Sequence, residues 1–221
     1  MPLPPLRELS ASELLRVSSS TIGHYEQTAA AFWHGTKDHD VSQNVQALLR
    51  HLRGVPPCSI LDLGCGPGRD LAAFRALGHE PVGLDGAASF VAMARAHTGC
   101  EVWQQDLLRL ELPPQRFHGI FANAVLFHVP SQELPRVLGE LRHALVSDGV
   151  LFASNPRGPD LEQWQGARYG TYLSWPRWRD SVTESGFEEL EHFYRPEGRP
   201  RSEQPWLASV WRKRDGPSRT W

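Results

Sequence analysis

Lysine is almost missing from this chain of 221 residues: Lys37 and Lys213 stand alone, and arginine supplies the rest of the positive charge. The preference for arginine carries no functional reading by itself. A formal net charge of −2 gives no whole-molecule attraction to phosphate polymers, which disfavours nucleic acid as the main partner. Cysteine is scarce too. Cys58, Cys65 and Cys100 are far apart, with no CxxC pair, which excludes a disulfide framework and suits a reducing, cytoplasmic compartment. There is no run of about 18 apolar residues to cross a bilayer, and the opening MPLPPLRELS lacks the apolar centre of a signal peptide. A membrane partner is therefore not expected, and no internal repeat or low-complexity tract is present.

What is there suits one domain with some decoration, because 40% of the residues are hydrophobic and the length allows a large core. Residues 1–53 read as a helical preface, in pieces: SASELLRV, HYEQTAAAFWH and VSQNVQALLRHL, the last with Val41, Val45, Leu48, Leu49 and Leu52 at helical spacing. Residues 54–214 read as the core, and 215–221 as a tail. In the core, short apolar strands (59–63, 81–85, 101–104, 119–123 and 150–154) alternate with helices expected over 69–77, 86–97 and 131–145, the last capped by Ser131. This is the pattern of a parallel sheet covered on both faces. Residues 156–174 look like a long functional loop. A helix capped by Ser174 follows, and then two strands, 187–195 and 206–213, expected to pair antiparallel at the sheet edge.

The densest signal is ILDLGCGPGRD at residues 60–70. Glycines at a strand-to-helix turn let a ligand lie against bare backbone beside the N–H groups of a helix start. Asp85 ends the next strand, 21 residues after Gly64, where a carboxylate can accept both hydroxyls of a ribose. The dinucleotide fingerprint needs a further glycine at position 69, which is Arg69, and no Gly-Lys-Ser/Thr follows for a phosphate loop. NAD is disfavoured and an adenosine-type cofactor remains.

DLGCGPGRD, followed by GLD, QQD and FHGIFANAVLFHVP in order, resembles the class I S-adenosylmethionine-dependent methyltransferases, in their methyltransferase-11-like small-molecule branch, over about residues 60–155. The resemblance implies a Rossmann-like α/β fold with a seven-stranded, mostly parallel sheet, helices on both faces and an antiparallel C-terminal strand. It implies S-adenosylmethionine as cofactor, with Gly64, Cys65 and Gly66 along its methionine part, Asp85 on the ribose, and Gly86 and Phe90 at the adenine. Asp106 and the Leu107 N–H would reach the adenine edge, Asn123 the methionine amino group, and Tyr25 would cover the methionine end.

Methyl transfer is a direct displacement, so an acceptor O, N or S atom must be held in line with the S–CH₃ bond. A small-molecule acceptor is expected. Candidates to line its pocket are Trp33 and His34 in the preface, Phe127 after the fourth strand, and Arg157 and Tyr169 after the fifth, with Arg168 and Tyr172 nearby. Arg157 would pair an anionic group on the acceptor or, at the surface, Asp160 or Glu162, and His128 would be the general base or a structural histidine bonded to backbone. His34, Asp38, His39 and Asp40 have metal-ligand residue types, but the helical spacing of His34 and Asp38 is their only geometric support, so no metal is expected. The other classes open at this point are a protein or RNA methyltransferase and a non-catalytic cofactor-binding module. The Asn-Pro-Pro-aromatic motif of amino-group nucleic-acid enzymes is absent after the fourth strand, where the chain reads NAVL.

Overall fold

A computed structural model describes residues 3–214; the tail expected at 215–221 lies outside the described residues. The chain begins with α1 (Ala11–Thr36) and α2 (Ser42–Leu49). Then β1 (Ser59–Leu63), α3 (Arg69–Ala76), β2 (Glu80–Asp85), α4 (Ala88–Thr98), β3 (Glu101–Gln104), β4 (Phe117–Asn123), α5 (Leu134–Ala144) and β5 (Leu145–Pro156) alternate. The chain continues with β6 (Leu161–Gln165), β7 (Arg168–Tyr172), α6 (Trp175–Glu184), β8 (Phe187–Arg195) and β9 (Trp206–Lys213). Seven strands form one sheet in the order β3-β2-β1-β4-β5-β9-β8. β1 to β5 run parallel, and β9 enters antiparallel between β5 and β8, with Phe152 opposite Val210.

Strand alternation divides the core between two faces. Leu61, Leu63, Ile120, Ala122, Leu151 and Ala153 face α5 and α6, meeting Val137, Leu141, Trp178 and Val182. Ile60, Phe121, Val150 and Phe152 face the other way, toward Leu48 of α2 and Phe74 of α3. Phe121 stacks on Phe152 with ring centroids 4.8 Å apart. Burial of each such side chain contributes about 1.5–3 kcal/mol, so the central strands form a rigid platform for whatever their carboxyl ends carry.

Three expectations change in the structure. The preface pieces before residue 37 are one helix, α1, opened by a capping box between Ser10 and Glu13. Ser18 to Thr21 and Gly23 weaken its local propensity, but Val17, Thr21, Tyr25 and Ala29, spaced four apart, pack on the body and keep it continuous. Residues 156–174 contain a hairpin, not a loop: β6 and β7 pair from Leu161–Tyr172 to Gln165–Arg168 around Gly166 and Ala167. β6 alternates only between exposed and half-buried residues, and β7 has Tyr169, Gly170 and Thr171 buried in a row, so neither strand shows a clear alternation in the sequence. An isolated hairpin is marginal in water; this one rests on α1, where the Tyr169 N–H donates to Thr21 Oγ1 at 3.1 Å and Leu9, Val17 and Tyr169 cluster. Ser131 does not cap α5, which starts three residues later with Pro135 in its first turn. Its hydroxyl instead accepts from the Leu6 N–H at 2.8 Å.

Ser209 on β9 locks the second half of the sheet to α6. Its buried Oγ accepts from the indole N–H of both Trp178 and Trp211, each at 2.9 Å. Ser209→Ala should cost about 2–4 kcal/mol in urea unfolding, because two buried donors lose their acceptor. A loss below about 0.5 kcal/mol would show that the two indoles find other acceptors.

Candidate functional site

The carboxyl ends of β1, β2 and β4 open into a cavity of about 720 Å³, roofed by α1. The turn after β1 makes its floor. Gly64 has φ +68° and Gly66 φ +52°. A Cβ at Gly64 would fall 2.3 Å from Val125 Cγ2, so only glycine lets the turn pass beneath β4. The N–H groups of Gly64 and Cys65 both donate to the Leu84 carbonyl, at 2.7 and 3.0 Å, which fixes the turn to β2.

Asp85 closes that connection. Its carboxylate accepts from the Gly66 N–H at 3.0 Å and the Ala87 N–H at 2.9 Å, holding the turn after β1 and the start of α4 together. Burial nevertheless pushes its carboxyl up to about 6, above the usual 3.8, with the two backbone bonds acting against the shift. A desolvated carboxylate at a cavity wall gains from further hydrogen-bond donors.

The other residues assigned to a cofactor also line this cavity: Cys65, Gly86, Phe90, Asp106, Leu107, Asn123 and Tyr25. Asp106 Oδ1 accepts from the Leu108 N–H, and its Oδ2 accepts from the Ser18 hydroxyl of α1. Asn123 belongs to a polar chain at the end of β4: its Oδ1 accepts from Asn44 Nδ2 at 3.0 Å, and its Nδ2 donates to Asp70 at 3.2 Å. Asp70 in turn takes two bonds from Arg69, at 2.8 and 2.9 Å. Beneath it Asp62 is fully enclosed in β1, and burial, with repulsion from Asp70, holds its carboxyl well above the carboxylate range. Ala124, next in the chain, has φ +61°, an uncommon conformation for a residue with a Cβ. That bend turns Phe127 and His128 back onto the cavity wall.

On the acceptor side the structure brings Trp33, Phe127 and His128 to the cavity and leaves His34, Arg157 and Tyr169 away from it. Arg157 Nη2 donates to the Arg201 carbonyl at 2.8 Å, and its guanidinium lies over Tyr194. The buried Tyr169 side chain turns away from the cavity, its hydroxyl donating to Glu162 at 2.8 Å; strand pleating sends it to the other side from its neighbour Arg168, which lines the cavity. His34 sits on another face of α1 than Tyr25 and Trp33. Arg195 and Trp206, at the β8 and β9 ends, line the cavity without having been singled out in the sequence. Arg195 stands in an arginine- and proline-rich stretch with no motif; only the antiparallel insertion of β9 carries it to this edge.

His128 is not free to act on a ligand. Its Nδ1 lies 2.7 Å from the Tyr169 carbonyl oxygen, which can only accept, so Nδ1 carries the proton. Nε2, 2.8 Å from the Tyr25 hydroxyl, is therefore the acceptor, and Tyr25 is the donor. Burial pushes the imidazole down to about 4, which keeps it neutral near pH 7. Among the described residues no group of three or more His, Cys, Asp or Glu side chains could hold a metal ion, and no helix is long and apolar enough to cross a membrane.

Comparison with known proteins agrees with this architecture. Residues 60–149 match the family described as methyltransferase domain. Trans-aconitate 2-methyltransferase of Azoarcus sp. (strain BH72) is 36% identical over 106 residues, which span 46% of this chain and 40% of that protein. The matched stretch is thus less than half the length of that relative. Among solved structures, Burkholderia thailandensis 1,6-didemethyltoxoflavin-N1-methyltransferase, with 1,6-didemethyltoxoflavin and S-adenosylhomocysteine bound, superposes with a TM-score of 0.76 at 20% identity, covering 97% of this chain and 94% of its own. An S-adenosylmethionine-dependent methyltransferase from Mesorhizobium loti gives 0.64 at 21% identity, over 76% and 96%. At such identities the superpositions show the fold alone. Over residues 60–149 the chain is thus similar to the methyltransferase-domain family, and its sheet order is the fold of the S-adenosylmethionine-dependent methyltransferase structures on which it superposes.

Proposed function

We propose that the protein transfers the methyl group of S-adenosylmethionine to a small-molecule acceptor. The observation that carries this reading is the Asp85 carboxylate, desolvated at the cavity wall and needing donors, next to a glycine turn that no side chain could replace. The residues fit the cofactor. Asp85 would take the ribose hydroxyls, the apolar Phe90 and Leu107 would flank the adenine with Asp106 at its edge, and the Gly64–Gly66 backbone with Asn123 would hold the methionine part. When bound, the cofactor supplies an electrophilic methyl on a sulfonium.

The chain's own residues then bind, orient and exclude water. The Tyr25 O–H donates its hydrogen bond to His128, so its hydroxyl offers only lone pairs to the cavity. His128 is a positioning residue in this reading, not the general base. With both ring nitrogens engaged and an imidazole that protonates only near 4, it is a weak base. α1 and the β6–β7 hairpin close over the cavity and leave room for a small acceptor, which favours a metabolite over a protein or RNA chain. The trans-aconitate and toxoflavin relatives, both named for small acceptors, support the same class.

The Asp85 carboxyl sets a pH dependence. In the free protein it is raised to about 6. Its ionised form is therefore disfavoured by folding, and the stability it contributes is lost as pH rises from about 4 to about 6. Ribose hydroxyls favour the ionised form, so binding should release a proton near pH 6, and S-adenosylhomocysteine affinity at pH 5 should be about tenfold below that at pH 7. Calorimetry in buffers of different ionisation enthalpy measures both. Asp85→Asn should weaken binding by about 2–4 kcal/mol and flatten the profile; a wild-type profile already flat would remove Asp85 from the ribose.

Tyr25 and His128 should also act as a unit. In a double-mutant cycle of Tyr25→Phe and His128→Ala on S-adenosylmethionine affinity, a coupling of about 1 kcal/mol is expected. Strict additivity would mean that the bond between them has no part in binding.

A further inference from the structure

We propose that the acceptor end of the cavity is a receptor for an oxyanion, a carboxylate or phosphate on the acceptor, held by Arg168 and Arg195. The inference rests on the methyltransferase reading and names the substrate class of that same site.

Three arginines line the cavity, and their bonding separates them. Arg69 is engaged, with two bonds to Asp70 and one to the Thr36 carbonyl. Arg168 and Arg195 have no carboxylate within 4.0 Å among the described residues. Arg195 gives one Nη2–H to the Asp40 carbonyl, at 3.0 Å, and its Nε is buried without a hydrogen-bond partner. The Nε of Arg168 is likewise buried and unmet, and its guanidinium lies over the Tyr25 ring, 6.0 Å from the centroid. Arg168 also bonds to the Tyr25 side chain, and the Asp40 carboxylate acts on Arg195 from beyond ion-pair distance, so the unmet donors are the two buried Nε–H groups. These are costly to bury unless a ligand meets them, and the planar fork of arginine matches an oxyanion.

The more enclosed charges of the cavity are arranged in the same sense, the exposed Asp40 beside Arg195 being the exception. Asp85 and Asp106 lie at the ends of β2 and β3, on one side of β1, whereas Arg195 ends β8, on the other side of the sheet. Arg168 begins β7, in the hairpin packed against residues 126–128 after β4. A cationic cofactor over the carboxylates leaves the two arginines facing the acceptor. Arg157, the arginine expected to do this from the sequence, is turned away onto Arg201 and Tyr194.

The experiment is calorimetry on the full chain saturated with S-adenosylhomocysteine, using as probes tricarballylate, its uncharged triamide and inorganic phosphate. Tricarballylate should bind and the triamide should not. Raising sodium chloride from about 50 to about 300 mM should weaken the binding. Arg168→Gln and Arg195→Gln should each lower tricarballylate affinity at least about tenfold, while Arg168→Lys and Arg195→Lys lose less and Arg157→Gln loses nothing. Affinity for S-adenosylhomocysteine should stay within about twofold in the Arg195 variants, a readout that general unfolding would not spare, and in the Arg168 variants, whose guanidinium packs on Tyr25, it should fall less than tricarballylate affinity does. Phosphate binding more tightly than tricarballylate, with the same dependence on both arginines, would assign the receptor to a phosphorylated acceptor. Triamide binding as tight as tricarballylate, no binding of either anion, or Gln variants equal to wild type would overturn the proposal without reference to folding of the variants. Failure of the wild-type protein to bind S-adenosylhomocysteine would instead overturn the methyltransferase reading beneath it.

Discussion

The hydrogen bonds of the Asp85 carboxylate join three segments that would otherwise drift apart. It stands at the end of β2, accepts from the glycine turn after β1, and accepts again from the start of α4. The turn is committed to that position from the other side as well, since Gly64 and Cys65 donate to Leu84 and a side chain at Gly64 would strike Val125. The floor of the cavity is thus over-determined. The cost is a carboxylate kept out of water, whose charge burial disfavours. A scaffold built for stability alone would have an apolar residue at this position; a binding site needs the unmet capacity.

The same economy governs the roof. α1 supplies Tyr25, Phe32 and Trp33 to the cavity, Ser18 to Asp106 and Thr21 to the hairpin. A single helix therefore touches the regions assigned here to adenine, to the methionine end and to the acceptor wall. Tyr25 packs against Phe32 and Phe90 while its hydroxyl is committed to His128, and His128 is committed to the Tyr169 carbonyl of β7. The walls proposed for cofactor and acceptor are joined through two hydrogen bonds. Removing water from one end of the cavity and shaping the other are, in this molecule, consequences of one contact surface.

Electrostatics divides what packing has joined. Carboxylates and guanidiniums are equally awkward to bury, and here Asp85 and Asp106 stand at the other end of the cavity from Arg168 and Arg195. Arg69 and Asp70 mark the boundary, where a pair does form and is held by Asn123 from β4. The polarity suits two ligands of opposite charge brought together for a displacement, with positioning supplying much of the rate.

Local pattern determined a large part of this. The five parallel strands, the helices between them and the two C-terminal strands follow from apolar periodicity and turn residues, and the glycine turn with Asp85 is legible because its chemistry lies within 25 or so residues of chain. Tyr25 and His128 could be named as residues, but not as partners, since they are 103 positions apart. The hairpin was hidden because neither face of β6 is buried enough to impose alternation; its order comes from α1. Arg157 and Tyr169 looked well placed by position along the chain, and strand pleating together with Tyr194 turns their side chains away. Arg195 carried no signal at all, because its place at the cavity depends on β9 running antiparallel between β5 and β8. The half of the cavity proposed for the cofactor is made by neighbours in sequence and could be read there. The half proposed for the acceptor is assembled from the ends of distant strands, and only tertiary packing decides which side chains meet.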